Sequence, residues 1–412
     1  MKKSLLFVVV LALLISSVAF ADGDKTRVTI FQFKPEIADQ LIELANLYME
    51  EHPDVELVAE SMDSSEYYTI LKTRFAGGEG PEIFNNGGAT MLESWKEYLE
   101  DLSDQPWVAD MGEMTKANIT SDGKVYGLPL YLESFGLLYN VGLFEKAGIT
   151  ETPETISELR EACEKLQAAG ITPFVHAFSD FYAVGNFLLP VGIAHAGDPY
   201  GFMQALSAGE ASFQDTPCFQ DWLDLVDLLM EFAMPGSLTR DFSSAVAAFA
   251  NGEAAMQLTT NGVQLSAQQI NPDIVVGMLP VPINDNPDEG NENLFIDVST
   301  YWVINNESPA KEEAKEFMNW LVSSETGQHY LTDVFQFVPG LTSVSASEEG
   351  IGNVGIDMLE AVAADKVSGW YQYGFPNGGT EELGNEILKY IGGQISRDEL
   401  LENMTDIWQN LS

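Results

Sequence analysis

Cysteine, histidine and positive charge are all scarce in this chain of 412 residues, and each shortage closes a class of function. Two cysteines, Cys163 and Cys218, cannot build a disulfide scaffold. Cys163 shares a helical apolar stripe with Ile156, Leu159 and Leu166, which favours a buried thiol, while an oxidising compartment would also permit a bridge to Cys218. The four histidines, His52, His176, His195 and His329, lie far apart with no HExxH or paired-ligand spacing, so a zinc enzyme is disfavoured. Lys and Arg number 19 against 63 Asp and Glu, a formal charge of −44, and the cations are scattered. Tracking a phosphate backbone needs them clustered, so nucleic acid is excluded as a partner. There is no P-loop, GxGxxG or GxSxG; Gly77-Gly78-Glu79-Gly80-Pro81 is glycine-rich but has none of these spacings.

Long apolar runs are missing too, except at the N-terminus. There, Met1-Lys2-Lys3 precedes an apolar stretch from Leu5 to Ile15, and Ala19-Phe20-Ala21 offers a small-x-small cleavage site. This pattern reads as a secretory signal over residues 1–21, with a mature chain from Asp22 and a charge of −46 once Lys2 and Lys3 are removed. No cysteine follows the apolar run, so the expected product is exported, soluble and without a lipid anchor. The acid surplus reads first as a solvated coat suited to saline surroundings, with attraction of a cationic ligand as the alternative.

What the chain does have is apolar content, 45%, enough for a large core and at this length for two domains. A strand at 27–33, a helix from Pro35 with Ile37, Leu41, Leu44 and Tyr48 on one face, a strand at 55–59, a helix at 67–75 and a strand at 82–84 alternate as in a mostly parallel sheet. Ligands of such sheets bind beyond the carboxyl ends of the strands, which here carry Gln32, Phe33, Asp63, Asn85, Asn86 and Gly88. Further helices are expected at 155–169, 182–196, 219–232, 243–251, 310–322, 326–334, 356–364, 381–391 and 397–409. Further strands are expected at 172–177, 255–259, 274–279 and 295–304. The polar loop 284–293 lacks the ligand order of a Ca²⁺ loop and reads as solvated, and no metal or cofactor is called for.

Four segments together resemble the extracellular solute-binding proteins of bacterial ABC importers, in the carbohydrate-binding branch that includes maltose-binding protein. They are LKTRFAGGEGPEIF at 71–84, GKVYGLPLYLESFGLLYNVGLFEKAGI at 123–149, AAFANGEAAMQLTTNG at 247–262, and the stretch from Trp302 through SPAKEEAKEFMNWLVSSETGQHYL. The resemblance implies an α/β, two-lobe periplasmic-binding-protein fold of the type II kind, each lobe a mixed sheet flanked by helices, with a sugar in the interlobe cleft. It divides the chain into 22–131 plus 275–334 and 132–274 plus 335–412, with crossings near 131–135, near 274–279 and after 334. The implied partners are a carbohydrate and the membrane permease subunits, and the implied state is a monomer without catalysis.

The same match places Glu133 at an interlobe crossing facing the ligand, Asp180, Phe181 and Tyr182 in the second lobe, and Asn261 and Gly262 at the end of the third motif. Val263 and Gln264 stand where the family often has a Trp, which argues against simple maltose specificity. Asp297, on a strand with Ser299 and Tyr301, and Trp370, flanked by Gly369, Tyr371 and Tyr373, complete the candidates. Trp222 and Trp320 sit on apolar helical faces and are assigned to the core. Two other readings stay open. One is a binding protein for a cationic solute such as a polyamine, and the other is a secreted glycosidase using Glu133 and Asp180.

Overall fold

The computed structural model describes residues 25–412 apart from 63, 113, 114, 117, 287 and 288, so the expected signal segment and Asp63 lie outside the described residues. In chain order its strands are β1 (Thr26–Gln32), β2 (Val55–Ser61), β3 (Ile83–Gly87), β4 (Thr120–Ser121), β5 (Lys124–Val125), β6 (Tyr131–Asn140), β7 (Thr172–Phe174), β8 (Ala254–Thr260), β9 (Val276–Leu279), β10 (Leu294–Asp297), β11 (Thr300–Ile304), β12 (Val338–Pro339) and β13 (Val367–Ser368).

The first sheet has the order β11-β3-β1-β2, with β1 parallel to both β2 and β3 and β11 antiparallel to β3. Val28, Ile30, Phe31, Ile83 and Phe84 are buried because helices cover the sheet. The helix Ala38–Glu51 turns Leu41, Leu44, Ala45 and Tyr48 inward, and Ser64–Ala76 contributes Tyr67 and Leu71. The second sheet is built on β6, whose ten residues pair in turn with β12, β10, β8 and β9. Its helices begin where the sequence offers caps: Thr155 with Glu158 opens Ile156–Ala168, and Ser396 with Glu399 opens Arg397–Leu411, each as a reciprocal capping box.

Three segments join the sheets. Leu128 still exchanges backbone hydrogen bonds with Trp302 of the first sheet, 2.8 and 3.2 Å, and three residues later Tyr131 opens β6 in the second. The return is as abrupt. Asp297 on β10 pairs with Glu133, while Thr300 on β11 pairs with Gly87, leaving only Val298 and Ser299 between the two sheets. In the third, Val338 and Pro339 pair with Leu132 and Tyr131, and Thr342 N then donates to Asp110 O at 3.0 Å.

These pairings correct the sequence reading in two places. The run 295–304 is two strands in different sheets, not one. The return to the first sheet lies at 298–299 and not near 274–279, because β9 pairs with Leu137 to Asn140 of β6. Apolar alternation reports burial and does not say which sheet a strand joins. The expected helix 182–196 contains a wide π turn, Val184–Leu188, before Leu189–Ala194. The tail helix starts earlier, at Glu348–Ala363, and is broken at Gly352, φ +66°. A helix at Pro199–Ser207, absent from the reading, is capped by Asp198. Trp222 is fully buried and Trp320 half-buried; Cys163 and Cys218 are both buried and unbridged.

Candidate functional site

The end of β1 shapes the first wall of the site. Gln32 is buried, and its amide folds back on the chain, Oε1 accepting from Lys34 N and Nε2 donating to Lys34 O at 2.9 Å. That clamp leaves the Lys34 side chain to reach across to β6. Its ammonium lies 3.0 Å from Glu133 Oε1, 3.6 Å from Glu36 Oε1, and over the rings of Tyr131 and Phe337 at 4.7 and 6.0 Å. The other Glu133 oxygen accepts the Ser299 hydroxyl. Residues from all three interlobe crossings, Tyr131 and Glu133, Ser299, and Phe337, therefore meet at one buried ion pair. Burial by itself would lower the Lys34 pKa, but Glu133, Tyr131 and Glu36 outweigh it and hold it well above the ordinary lysine value.

Lys34 escaped the sequence reading. The signal was present, a lone lysine just past the end of the first strand in a chain poor in cations, but its partner is 99 residues away. Asn261 and Gly262 border the same recess, which is narrow and partly open to solvent. Asn261 ties β8 to β6, accepting from Ser134 N at 3.0 Å and donating its own N–H to Ser134 O at 2.9 Å. At Gly262 the lobes nearly touch, since a Cβ there would sit 3.7 Å from Glu36 Oε1. Gln264 and Gln336 close the floor, Gln264 Nε2 donating to Gln336 Oε1 at 3.2 Å.

The end of β3 forms another part of the wall. The Tyr67 hydroxyl accepts from Asn85 N at 2.8 Å and lies 3.1 Å from Asn85 O and 3.0 Å from Phe31 O, fixing the two strand ends together. Asn86 Nδ2 donates to the Tyr301 hydroxyl at 3.4 Å. The amide oxygens of Asn85 and Asn86 are buried without a hydrogen-bond partner among the described residues. Phe33 is half-buried, edge-on to Tyr67 with centroids 5.0 Å apart. Gly88 has φ +59°, and a Cβ there would come within 2.5 Å of the Tyr373 ring, so tail and first lobe are in contact.

From the second lobe, Asp180 sits exposed on the lip, its carboxylate accepting from Tyr182 N at 2.8 Å. The Phe181 backbone and Cβ pack against Gly384, and the Tyr182 ring is 44% exposed, edge-on to Phe187 at 5.5 Å. The cleft walls, then the charge of Glu133, push the Tyr182 hydroxyl up to about 12. Asp297, at the second crossing, accepts from Asn118 Nδ2 at 2.6 Å, Val298 N at 2.7 Å and Trp370 N at 3.4 Å, and burial raises its pKa.

Trp370 is 5% exposed, donates Nε1 to Phe295 O at 2.9 Å and packs edge-on against Phe135. It anchors the tail in the core of the second lobe, where the sequence had offered it as a ligand contact. The ring it supports is Tyr373, parallel to it at 6.5 Å. Burial first, then Glu133, Tyr68, Asp297 and Tyr182, raise the Tyr373 pKa. Among the described residues no group of His, Cys, Asp and Glu is placed to hold a metal. The arrangement combines carboxylates, amides and flat rings around a cleft, the chemistry that matches hydroxyls and weakly polar C–H faces.

A family model described as bacterial extracellular solute-binding protein matches residues 34–328. The melibiose/raffinose/stachyose-binding protein of Bacillus subtilis is 24% identical over 344 residues, 79% of this chain and 77% of that protein. The multiple sugar-binding protein of Streptococcus mutans is 22% identical over 323 residues, 74% and 73% of the two chains. Among solved structures, the solute-binding protein RafE in complex with raffinose superposes with a TM-score of 0.80 at 19% identity, covering 94% of this chain and all of that one. A Bacillus licheniformis sugar transporter protein in complex with stachyose gives 0.75 at 20% identity, over 94% of this chain and all of that one. The two-lobe fold is thus shared.

Proposed function

The chain belongs to the bacterial extracellular solute-binding protein family, and we propose that it captures a sugar or oligosaccharide between its lobes and delivers it to the permease of an ABC importer. The observation that carries this reading is the meeting of all three crossings at Lys34 and Glu133. A ligand held there touches both lobes, so it stabilises the closed arrangement through contacts that an open one lacks. Glu133 with Lys34, the free oxygens of Asn85 and Asn86, Asp180 and Tyr182 on the lip, Asp297, and Tyr373 backed by Trp370 are the proposed contacts. Gln32, Phe33, Gly88, Asn261 and Gly262 shape the walls that hold them.

The relatives named for sugars support the ligand class. A cationic solute is less well served, because the chain's own Lys34 ammonium already fills the box formed by Glu133, Tyr131 and Phe337. Catalysis is less well served too, since the Asp180 carboxylate caps its own turn and Glu133 is spent on an ion pair. The protein is proposed to act as an exported monomer in the periplasm, released from its signal segment and without a lipid anchor. Among the described residues no helix is long and apolar enough to cross a membrane.

Thermal melts with melibiose, raffinose, stachyose, maltotriose, chitin oligosaccharides and spermidine, at 50 and 500 mM salt, test the reading. A sugar at about 100 times its Kd adds about 2.7 kcal/mol of apparent stability, at both salt concentrations because an uncharged ligand is not screened. Stabilisation by spermidine alone, collapsing with salt, would overturn it, as would release of sugar cleavage products.

A further inference from the structure

We propose that Gln264, Gln268 and Gln336 form a clasp on the third crossing, which holds Gln336 in a left-handed turn and so favours the closed lobes during sugar capture. This inference rests on the sugar-binding reading above and adds to it the residues that set the balance between open and closed lobes.

The backbone at Gln336 is where the constraint shows. Among the described residues, three positions other than glycine have positive φ: Asp122, Gln336 and Asp365. Aspartate tolerates the left-handed region because its short side chain bonds locally, whereas a glutamine at φ +55° is held there against its own preference. Such a residue persists when its surroundings over-determine it, and ligand clamps and switch regions are where that happens. Before Gln336, Phe335 N donates to Tyr330 O at 2.8 Å and closes the π turn Tyr330–Val334; after it, Phe337 N donates to Leu331 O at 2.9 Å. Phe337 lies against Tyr131, centroids 4.2 Å apart, and Val338 already pairs with Leu132 of β6. A change of φ at Gln336 therefore swings the crossing relative to β6 and to the Lys34–Glu133 pair.

The turn is held from the helix Val263–Ile270, which follows β8 and presents Gln264 and Gln268 one turn apart on the same face. Gln336 Oε1 accepts from Gln264 Nε2 at 3.2 Å, and Gln336 Nε2 donates to Gln268 Oε1 at 3.0 Å. Gln264 is itself fixed. It is 3% exposed, its Oε1 accepts from Val354 N at 3.0 Å and its Nε2 also donates to Ile351 O at 2.9 Å. Those two backbone groups flank the helix break at Gly352, where a Cβ would come within 2.6 Å of Gln264 Nε2, so glycine there makes room for the amide that fills the gap. Another face of the same helix meets the first lobe: Gln269 Nε2 donates to Glu36 O at 3.4 Å, and Gly262 lies against the Glu36 carboxylate. With Gly88 against Tyr373 as well, the clasp is formed while the lobes touch, which places it on the closed side of the balance. Gln268 is half-buried and does not line the recess around Lys34 and Glu133, so it is a positioning residue that acts through Gln336.

Stopped-flow binding of raffinose, stachyose and maltotriose, followed by tryptophan fluorescence, tests this on the wild type, Gln268→Ala, Gln268→Glu, Gln336→Gly and the Gln268→Ala/Gln336→Gly double variant, with thermal melts as the fold control. Gln268→Ala should speed dissociation of each bound sugar about threefold to tenfold, the worth of one hydrogen bond, while association stays within about twofold. Gln268→Glu keeps an acceptor for Gln336 Nε2 and should dissociate within about twofold of wild type. In the Gln336→Gly background, where glycine takes the turn freely and the amide is gone, Gln268→Ala should have no further effect. Unchanged dissociation in Gln268→Ala, an equal loss in Gln268→Glu, or additive effects in the double variant would overturn the clasp alone. A wild type that binds no sugar would overturn it together with the reading on which it rests.

Discussion

Lys34→Met keeps much of the apolar stem that lies against Tyr131 and removes the ammonium that answers Glu133. Both side chains of the pair are 11% exposed, so the substitution leaves a buried carboxylate whose remaining donor among the described residues is the Ser299 hydroxyl. Orphaning one half of a buried ion pair costs about 3–5 kcal/mol, and the partial opening of the recess to water argues for the lower end. For a lobe of about 200 residues, each kcal/mol moves the midpoint by roughly 2–4 °C, so the melting temperature should fall by about 6–12 °C. Combining Lys34→Met with Glu133→Gln removes both charges and should recover most of the loss, giving a coupling energy of about 2 kcal/mol in a double-mutant cycle. The pH dependence has a definite sign. The folded Lys34 pKa is raised, so its contribution is complete below the unfolded-chain value of about 10.4 and is lost only as pH rises through the higher folded value. The gap between wild type and Lys34→Met should therefore stay flat from pH 7 to pH 10 and narrow above that. A single variant within 0.5 kcal/mol of wild type, using the ordinary spread of surface substitutions as the yardstick, or a strictly additive double variant, would refute the claim that this pair joins the crossings.

Asp357 accepts from Met278 N at 2.7 Å, yet burial pushes its pKa up to about 6. Its favourable contribution exists below the unfolded value and is lost as pH rises through 6, so Asp357→Asn should raise the unfolding free energy at pH 8 by on the order of 1–2 kcal/mol and leave it near wild type at pH 4. Equal shifts at both pH values would contradict this. Gly88→Ala places a Cβ on a residue at φ +59° and into the Tyr373 ring, and should cost about 1–2 kcal/mol and weaken sugar affinity. Gly378→Ala, at φ +80° with nothing within 4 Å, should carry the backbone cost without the affinity loss; equal affinities for the two variants would show that Tyr373 plays no part. Burial pushes the Cys218 thiol up to about 12 and that of Cys163 higher still. A thiol reagent should therefore find both cysteines only after unfolding, and a reducing agent should leave the melting temperature unchanged; rapid labelling of the native protein would count against this.

The local structure was legible because it is written in local chemistry. The helix expected at 155–169 spans Ile156–Ala168, since Thr155 and Glu158 form its capping box within four residues of chain. Gln32 does end its strand, but the strand expected at 82–84 runs on to Gly87, so Asn85 and Asn86 lie inside it, paired with Trp302 and Tyr301, and Gly88 opens the next helix. Glu133 was picked from its place in a motif, but the motif did not reveal that a lysine completes it. Trp370, flanked by glycine and tyrosines, was listed among the ligand candidates, whereas its indole N–H is claimed by Phe295 O, 75 residues earlier in the chain.

The amino-acid order alone determined an acidic α/β chain with two lobes' worth of strand and helix and with no catalytic or metal signature. Composition sets what a chain can bury, and period sets which face it buries. Tertiary structure decided which sheet each strand joined, so that the run 295–304 splits at two residues and hands Asp297 to one lobe and Thr300 to the other. It also decided that Lys34, Glu133 and Ser299, separated by 99 and 166 residues, share one ion-pair network. These are long-range contacts, selected by the packing of whole sheets against each other, and no window of neighbouring residues encodes them.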